Sequence, residues 1–143
     1  MKQKASKVFK QSGVVPYRVK NGTTEVLLIT SRNSQNWVVP KGGIVNRMSP
    51  HDSAAKEAWE EAGVIGQVNP NKFGSYKYRK NGKIYRVQMY SLPVEAVAQE
   101  FPEAAVRTRR WVDVDEAVRL VLQPSLKRIL KQFVKRESGT DKL

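Results

Sequence analysis

Residues 40–64, PKGGIVNRMSPHDSAAKEAWEEAGV, constrain the fold more than any other stretch, because a paired-glycine loop there runs into a helix whose two ends are both marked. Ser49 stands at the N-cap, Pro50 at the first helical position and Asp52 in the first turn, where its charge suits the helix dipole. Gly63 supplies the C-cap. Ala54, Ala55, Ala58 and Ala62 favour helix and keep it slim enough to pack closely. At about 100° per residue, Glu57, Glu60 and Glu61 share one helical face. Three carboxylates so close repel unless a cation holds them, and hard oxygen donors at this density suit Mg²⁺ or Mn²⁺. The competing reading of the triplet is a solvated acidic face.

The order of the flanking residues resembles the Nudix box. That signature runs Gly, five residues, Glu, seven residues, Arg-Glu, an apolar residue, any residue, Glu-Glu, any residue, Gly, apolar. On this chain it reads Gly42, Met48, Lys56-Glu57, Ala58, Trp59, Glu60-Glu61, Ala62, Gly63, Val64. Met48 and Lys56 depart from it, standing where the family has Glu and Arg as an ion pair that supports loop and helix. The resemblance implies a mixed β-sheet sandwiched between α-helices, an α/β (α+β) fold, over about residues 8–135. It implies Glu57, Glu60 and Glu61 as metal ligands, with the Gly42 carbonyl region completing the shell. It further implies a glutamate base, either Glu57 in the box or an acid of a later loop. In FPEAAVRTRRW that acid is Glu103, with Glu95 and Glu100 as weaker competitors and a solvated loop acid as the alternative.

The length of 143 residues suits one domain covering residues 1–143, with a basic N-terminal segment and a frayed tail from Arg136 onward. No cysteine is present, which excludes disulfides and thiolate metal sites and is compatible with a reducing cytoplasm. No apolar run is long enough for a membrane span, and the basic start lacks the apolar core of a signal peptide, so an unexported cytoplasmic protein is expected. The net charge is +13, and in residues 1–50 nine Lys and Arg face Glu25 alone. Such a field attracts polyanions without choosing among them.

Along the rest of the chain, residues 8–18 and 25–31 predict strands around the Asn21-Gly22 turn, and residues 69–80 and 83–92 another pair around Asn81-Gly82. Residues 37–39 predict a short extended segment ended by Pro40, after which Gly42-Gly43 offers backbone conformations closed to other residues. Residues 94–106 predict a loop and 109–112 a short strand. Asp113 and Glu116 predict a capping-box start for a helix, and a last helix after Pro124 turns Leu126, Ile129, Leu130 and Phe133 inward. Strands, helix, strands and then two helices is not doubly wound alternation.

Substrate handling falls to basic groups. Lys41 precedes the glycines, Arg32 follows a core strand and Arg18 ends the first strand, and each can clamp phosphate together with the Gly42-Gly43 loop; plain surface charge is the alternative for the arginines. His51 and the pair Trp37 and Trp111 are expected to be exposed and core residues respectively. The residues around Pro40 and the Arg109-Arg110-Trp111-Val112 segment look like the diphosphoinositol polyphosphate and diadenosine polyphosphate hydrolases, which implies a densely phosphorylated small substrate. The alternatives are a nucleotide or RNA 5′-end pyrophosphohydrolase and a non-catalytic module that holds RNA or another polyanion. With no aromatic platform of the kind that reads RNA, nucleic-acid binding is expected to be weak and non-specific.

Overall fold

The computed structural model describes residues 7–137. Nine strands and three helices follow in the order β1 (Val8–Lys20), β2 (Thr23–Thr30), β3 (Trp37–Val38), β4 (Lys41–Gly43), α1 (Pro50–Ala62), β5 (Val64–Ile65), β6 (Gly74–Lys80), β7 (Lys83–Pro93), β8 (Ala96–Val97), β9 (Arg109–Asp113), α2 (Val114–Leu120) and α3 (Pro124–Glu137). The expected frayed tail from Arg136 therefore begins inside α3, and residues 138–143 lie outside the described residues.

Both Asn-Gly pairs form tight turns with positive φ at each residue, 52° and 77° at Asn21-Gly22 and 52° and 74° at Asn81-Gly82. That pattern matches the right-handed twist of flanking strands and fixes the hairpins β1–β2 and β6–β7. The main sheet runs β3-β2-β1-β7-β6, with β4 added to β1 and β9 added to β2. It is mixed, because β1 pairs parallel with β7 and antiparallel with β2 and β4.

Alternation along the central strands sends side chains into two cores. Val14, Leu27 and Ile29 pack with Ala54, Ala58 and Ala62 of α1. Val15, Leu28, Val87 and Met89 pack with Leu126, Ile129, Leu130 and Phe133 of α3 and with Ala117 of α2. Full burial of each large apolar side chain contributes roughly 1.5–3 kcal/mol, and both layers of helix depend on it.

Three local expectations change. The strand expected from residue 69 begins at Gly74, because Asn69 turns the chain by accepting the Asn71 amide at 3.0 Å. The loop of residues 94–106 holds β8, which pairs with β5 in a separate two-stranded sheet, and a 3₁₀ turn over Ala104–Val106. At α2, Asp113 caps the Asp115 amide at 2.8 Å, while Glu116 pairs with Arg110 at 3.3 Å in place of closing a capping box.

Candidate active site

Helix α1 is held as the sequence predicts, with Ser49 accepting the Asp52 amide at 3.1 Å and Gly63 in the left-handed region at φ 66°. Its alanine face lies against β1 and β2, which leaves Glu57 and Glu61, one turn apart, toward β4. The Lys41 amide donates to Glu61 Oε1 at 3.2 Å. Glu57 sits against Gly42, where a Cβ would overlap its carboxylate. Gly42 and Gly43 belong to a strand and have no positive φ, so the expected backbone freedom is not what Gly42 provides. Its role is steric: the missing side chain makes room for a carboxylate.

Arg107 is the residue the sequence reading missed. Its side chain is 6% exposed, and Nη2 stands 2.9 Å from Glu103 Oε1 and 3.5 Å from Glu61 Oε2. Its Nε donates to Glu103 at 3.0 Å and its Nη1 to the Thr30 carbonyl at 2.8 Å. The Glu103 amide in turn donates to the Glu60 carbonyl at 3.0 Å, so the loop before β9 is tied to the last turn of α1. The Glu103–Arg107 spacing was the available sequence signal, while Glu61 and Thr30 are too distant in the chain to give one.

These groups border a cavity of about 460 Å³ shared by Arg32, Lys41, Lys80, Glu61, Glu103 and Arg107, with Gln11 and Tyr78 also in its wall. Arg18 is elsewhere, paired with Glu25 at 2.8 Å and stacked 4.1 Å from the Trp111 ring centre, so the structure does not bring it to the cavity. Glu60 pairs with Lys56 at 2.7 Å. His51 is half-exposed, 3.5 Å from Ser49 Oγ, and Trp37 and Trp111 are half-buried against the two cores.

Electrostatics follow from burial. Desolvation pushes the Glu61 carboxyl up to about 7, with the Glu57 charge acting in the same sense and Arg107 and the Lys41 amide opposing it. Glu57 is raised as well, first by burial and then by the Glu60 charge. The buried Lys41 ammonium is lowered. An all-oxygen set is the chemistry a hard divalent cation prefers. The fit is open and not a finished cage, since among the described residues no three Asp, Glu or His side chains already converge. The Glu60 carboxylate accepts from Lys56 Nζ at 2.7 Å. Ser12, the register partner of Gly42, has a buried hydroxyl without a partner, a further polar group beside the loop.

Tyr78 begins an aromatic column. It stacks on Tyr85 at 5.0 Å and 12°, and Tyr85 contacts Phe9 at 5.5 Å. Lys41 Nζ caps the Tyr78 end at 4.8 Å and Lys83 Nζ the Phe9 end at 5.4 Å. An aromatic cluster therefore exists on β1, β7 and β6, with Tyr78 and Tyr85 stacked on one another.

The NUDIX domain family model matches residues 10–133. The chain is 33% identical over 132 residues to Nudix hydrolase 4 of Arabidopsis thaliana, a match spanning 85% of the chain and 63% of that protein's length. It is 31% identical over 100 residues to diphosphoinositol polyphosphate phosphohydrolase 3-beta of Bos taurus, spanning 68% of the chain and 60% of that protein. The solved structure of the C. elegans Ap4A hydrolase superposes with a TM-score of 0.73 at 20% identity, covering 92% of this chain and 99% of that one, and bears out the mixed sheet between helices. With the box on α1 and a family match along most of its length, the chain belongs to the Nudix family.

Proposed function

We propose that this protein is a Mg²⁺- or Mn²⁺-dependent hydrolase of phosphoanhydride bonds in a densely phosphorylated small molecule of the diphosphoinositol polyphosphate or dinucleoside polyphosphate class. The observation that carries the reading is the meeting, in one cavity, of four cations, Arg32, Lys41, Lys80 and Arg107, with the carboxylates of Glu61 and Glu103. Phosphates need positive clamps and the reaction needs carboxylates, and this wall holds both.

A divalent cation, when bound, acidifies water and neutralises the leaving phosphate. Glu57, Glu61 and, once released from Lys56, Glu60 are the side chains that would hold it, beside the Gly42 backbone. Arg32, Lys41 and Lys80 orient the phosphate chain, Arg in bidentate fashion. Glu103 lines the cavity while Glu57 lies behind it against Gly42, which favours Glu103 as the group that takes the proton from water. Arg107 keeps that carboxylate in place.

The substrate assignment draws on the charge of the cavity and on the activity for which the bovine relative is named. The competing readings are a nucleotide or RNA 5′-end pyrophosphohydrolase and a non-catalytic module that holds RNA or another polyanion. A cytoplasmic location belongs to the same reading and is supported by the lack of cysteine.

A screen of phosphate release from diphosphoinositol polyphosphates, dinucleoside polyphosphates, nucleoside triphosphates and 5′-triphosphorylated RNA, each with Mg²⁺ or with chelator, tests it. Metal-dependent turnover highest on one of the first two classes is expected. Preference for RNA, or no turnover of any of them, overturns it.

A further inference from the structure

Strand β6 has two working faces. Tyr78 and Lys80 line the catalytic cavity, whereas the intervening positions turn the other way. On that other face Lys77 is the register partner of Arg86 on β7. Register partners point to the same side of a sheet, and like charges directly opposite each other are destabilising. A third cation, Arg128, reaches the free edge of β6 from α3, which packs on the opposite face of the sheet. Ser125 Oγ donates to the Lys77 carbonyl at 3.2 Å and Arg128 Nη2 to the Ser75 carbonyl at 3.5 Å, which seats the first turns of α3 beside the outermost strand of the sheet.

Lys77, Arg86 and Arg128 line a surface cavity of about 330 Å³, together with Ser75, Tyr76 and Ser125. None of the six is an acid. Among the described residues neither Lys77 nor Arg86 has an ion-pair partner, and Arg128 has no acidic one. The sequence gives no relief nearby, since residues 62–94 and 117–136 contain no Asp or Glu. Exposed cations are commonly left to solvent, but three from separate elements converging on one concavity leave an uncompensated field that a multivalent anion answers with charge-assisted bonds.

We propose that this concavity is a second anion site, separate from the catalytic cavity, where Lys77, Arg86 and Arg128 hold a small, multiply charged phosphate compound. Its size argues for a free oligophosphate or phosphate ester held at one point. It does not rest on the hydrolase reading, because none of its three cations lines the catalytic cavity.

The test is calorimetric titration of the full chain with inorganic tripolyphosphate, in chelator so that nothing turns over, at about 0.1 M salt so that screening removes long-range attraction. Wild type is expected to take up two equivalents, and Lys77→Gln/Arg86→Gln/Arg128→Gln to keep one, with the lost step weakened by about tenfold or more, as expected when charge-assisted contacts are removed. Hydrolysis of the best substrate from the screen should stay within about twofold in that variant, because the catalytic wall is untouched. Amide chemical-shift mapping of wild type supplies a readout independent of the variant's folding: the signals of Lys77, Arg86 and Arg128 should move with the second equivalent. Uptake in wild type that the variant retains in full, or no movement of those amides at any equivalent, overturns the site. So does loss in the variant of oligouridylate binding with tripolyphosphate binding unchanged, which would assign the face to a nucleic-acid backbone.

Discussion

Arg107 Nη2 lies 3.5 Å from Glu61 Oε2, and this contact joins the loop before β9 to the carboxylate face of α1. The arginine is more deeply buried than either of its acids, with a side-chain exposure of 6% against 13% for Glu61 and 25% for Glu103. A buried cation between two anions keeps both from repelling, so its removal exposes the full cost of their proximity.

Arg107→Ala is expected to lose about 3 kcal/mol of stability, the range typical of leaving buried charges uncompensated. Urea denaturation of the metal-free protein measures it. A loss below about 1 kcal/mol would mean that Glu61 and Glu103 do not depend on this residue.

Neighbouring glycines should behave very differently. A methyl group on Gly42 overlaps the Glu57 carboxylate, whereas one on Gly43 meets nothing within 4 Å. Gly42→Ala should therefore cut kcat/KM by about 100-fold or more, as displaced metal ligands do, with Gly43→Ala within a few-fold of wild type. Equal activities of the two variants would remove Gly42 from the site.

Proton and cation compete for Glu61. Its carboxyl titrates near 7 in the folded, metal-free protein, above the ordinary 4.5, so the native state binds that proton more tightly than the unfolded chain does. The corresponding contribution to stability is present below about 4.5 and lost as pH rises toward 7. Metal binding runs the opposite way, since a ligand must shed its proton first. Apparent Mn²⁺ affinity should rise by up to about tenfold per unit between roughly pH 5 and 7 and then level off. Affinity independent of pH over that span would show that Glu61 is not a ligand.

Glu60→Gln and Glu61→Gln should each lower turnover by about 100-fold or more while leaving the circular dichroism spectrum unchanged. Chelator should do the same to wild type. Robust hydrolysis by either folded variant would dissolve the assignment of α1 as the metal helix.

Lys41→Gln is expected to raise KM most for the substrate with the most phosphates, each lost charge-assisted contact costing roughly 1.5–3 kcal/mol. A KM change independent of phosphate number would leave Lys41 a structural group held over Tyr78.

What could be read from the sequence was what the backbone decides locally. Ser49, Pro50 and Gly63 bound α1, and both Asn-Gly turns set their hairpins, because cap and turn chemistry act within a few residues. The inward set of α3 followed from its periodicity. Long-range partners were illegible. The Asn21-Gly22 turn sets Arg18 opposite Glu25, but nothing near Arg18 says that Trp111 will lie under it, and nothing near residue 96 says that β8 will find β5 across the fold. Arg107 was hidden for the same reason, and the Phe9–Tyr85–Tyr78 column because β1 meets β7 only in three dimensions.

That parallel pairing also bears on how the chain acquires its structure. Val8 pairs with Ile84 and Tyr17 with Pro93, so one edge of β1 stays bare until a segment from the second half of the chain arrives. The β1–β2 hairpin can close early, but the sheet cannot be completed by local steps. Folding should accordingly belong to the slower, millisecond-to-second regime of domains dominated by distant contacts. During synthesis the apolar stretch Val14-Val15 waits on the ribosome for its partner, and a vacant strand edge of that kind is where chaperone demand and misassembly would concentrate.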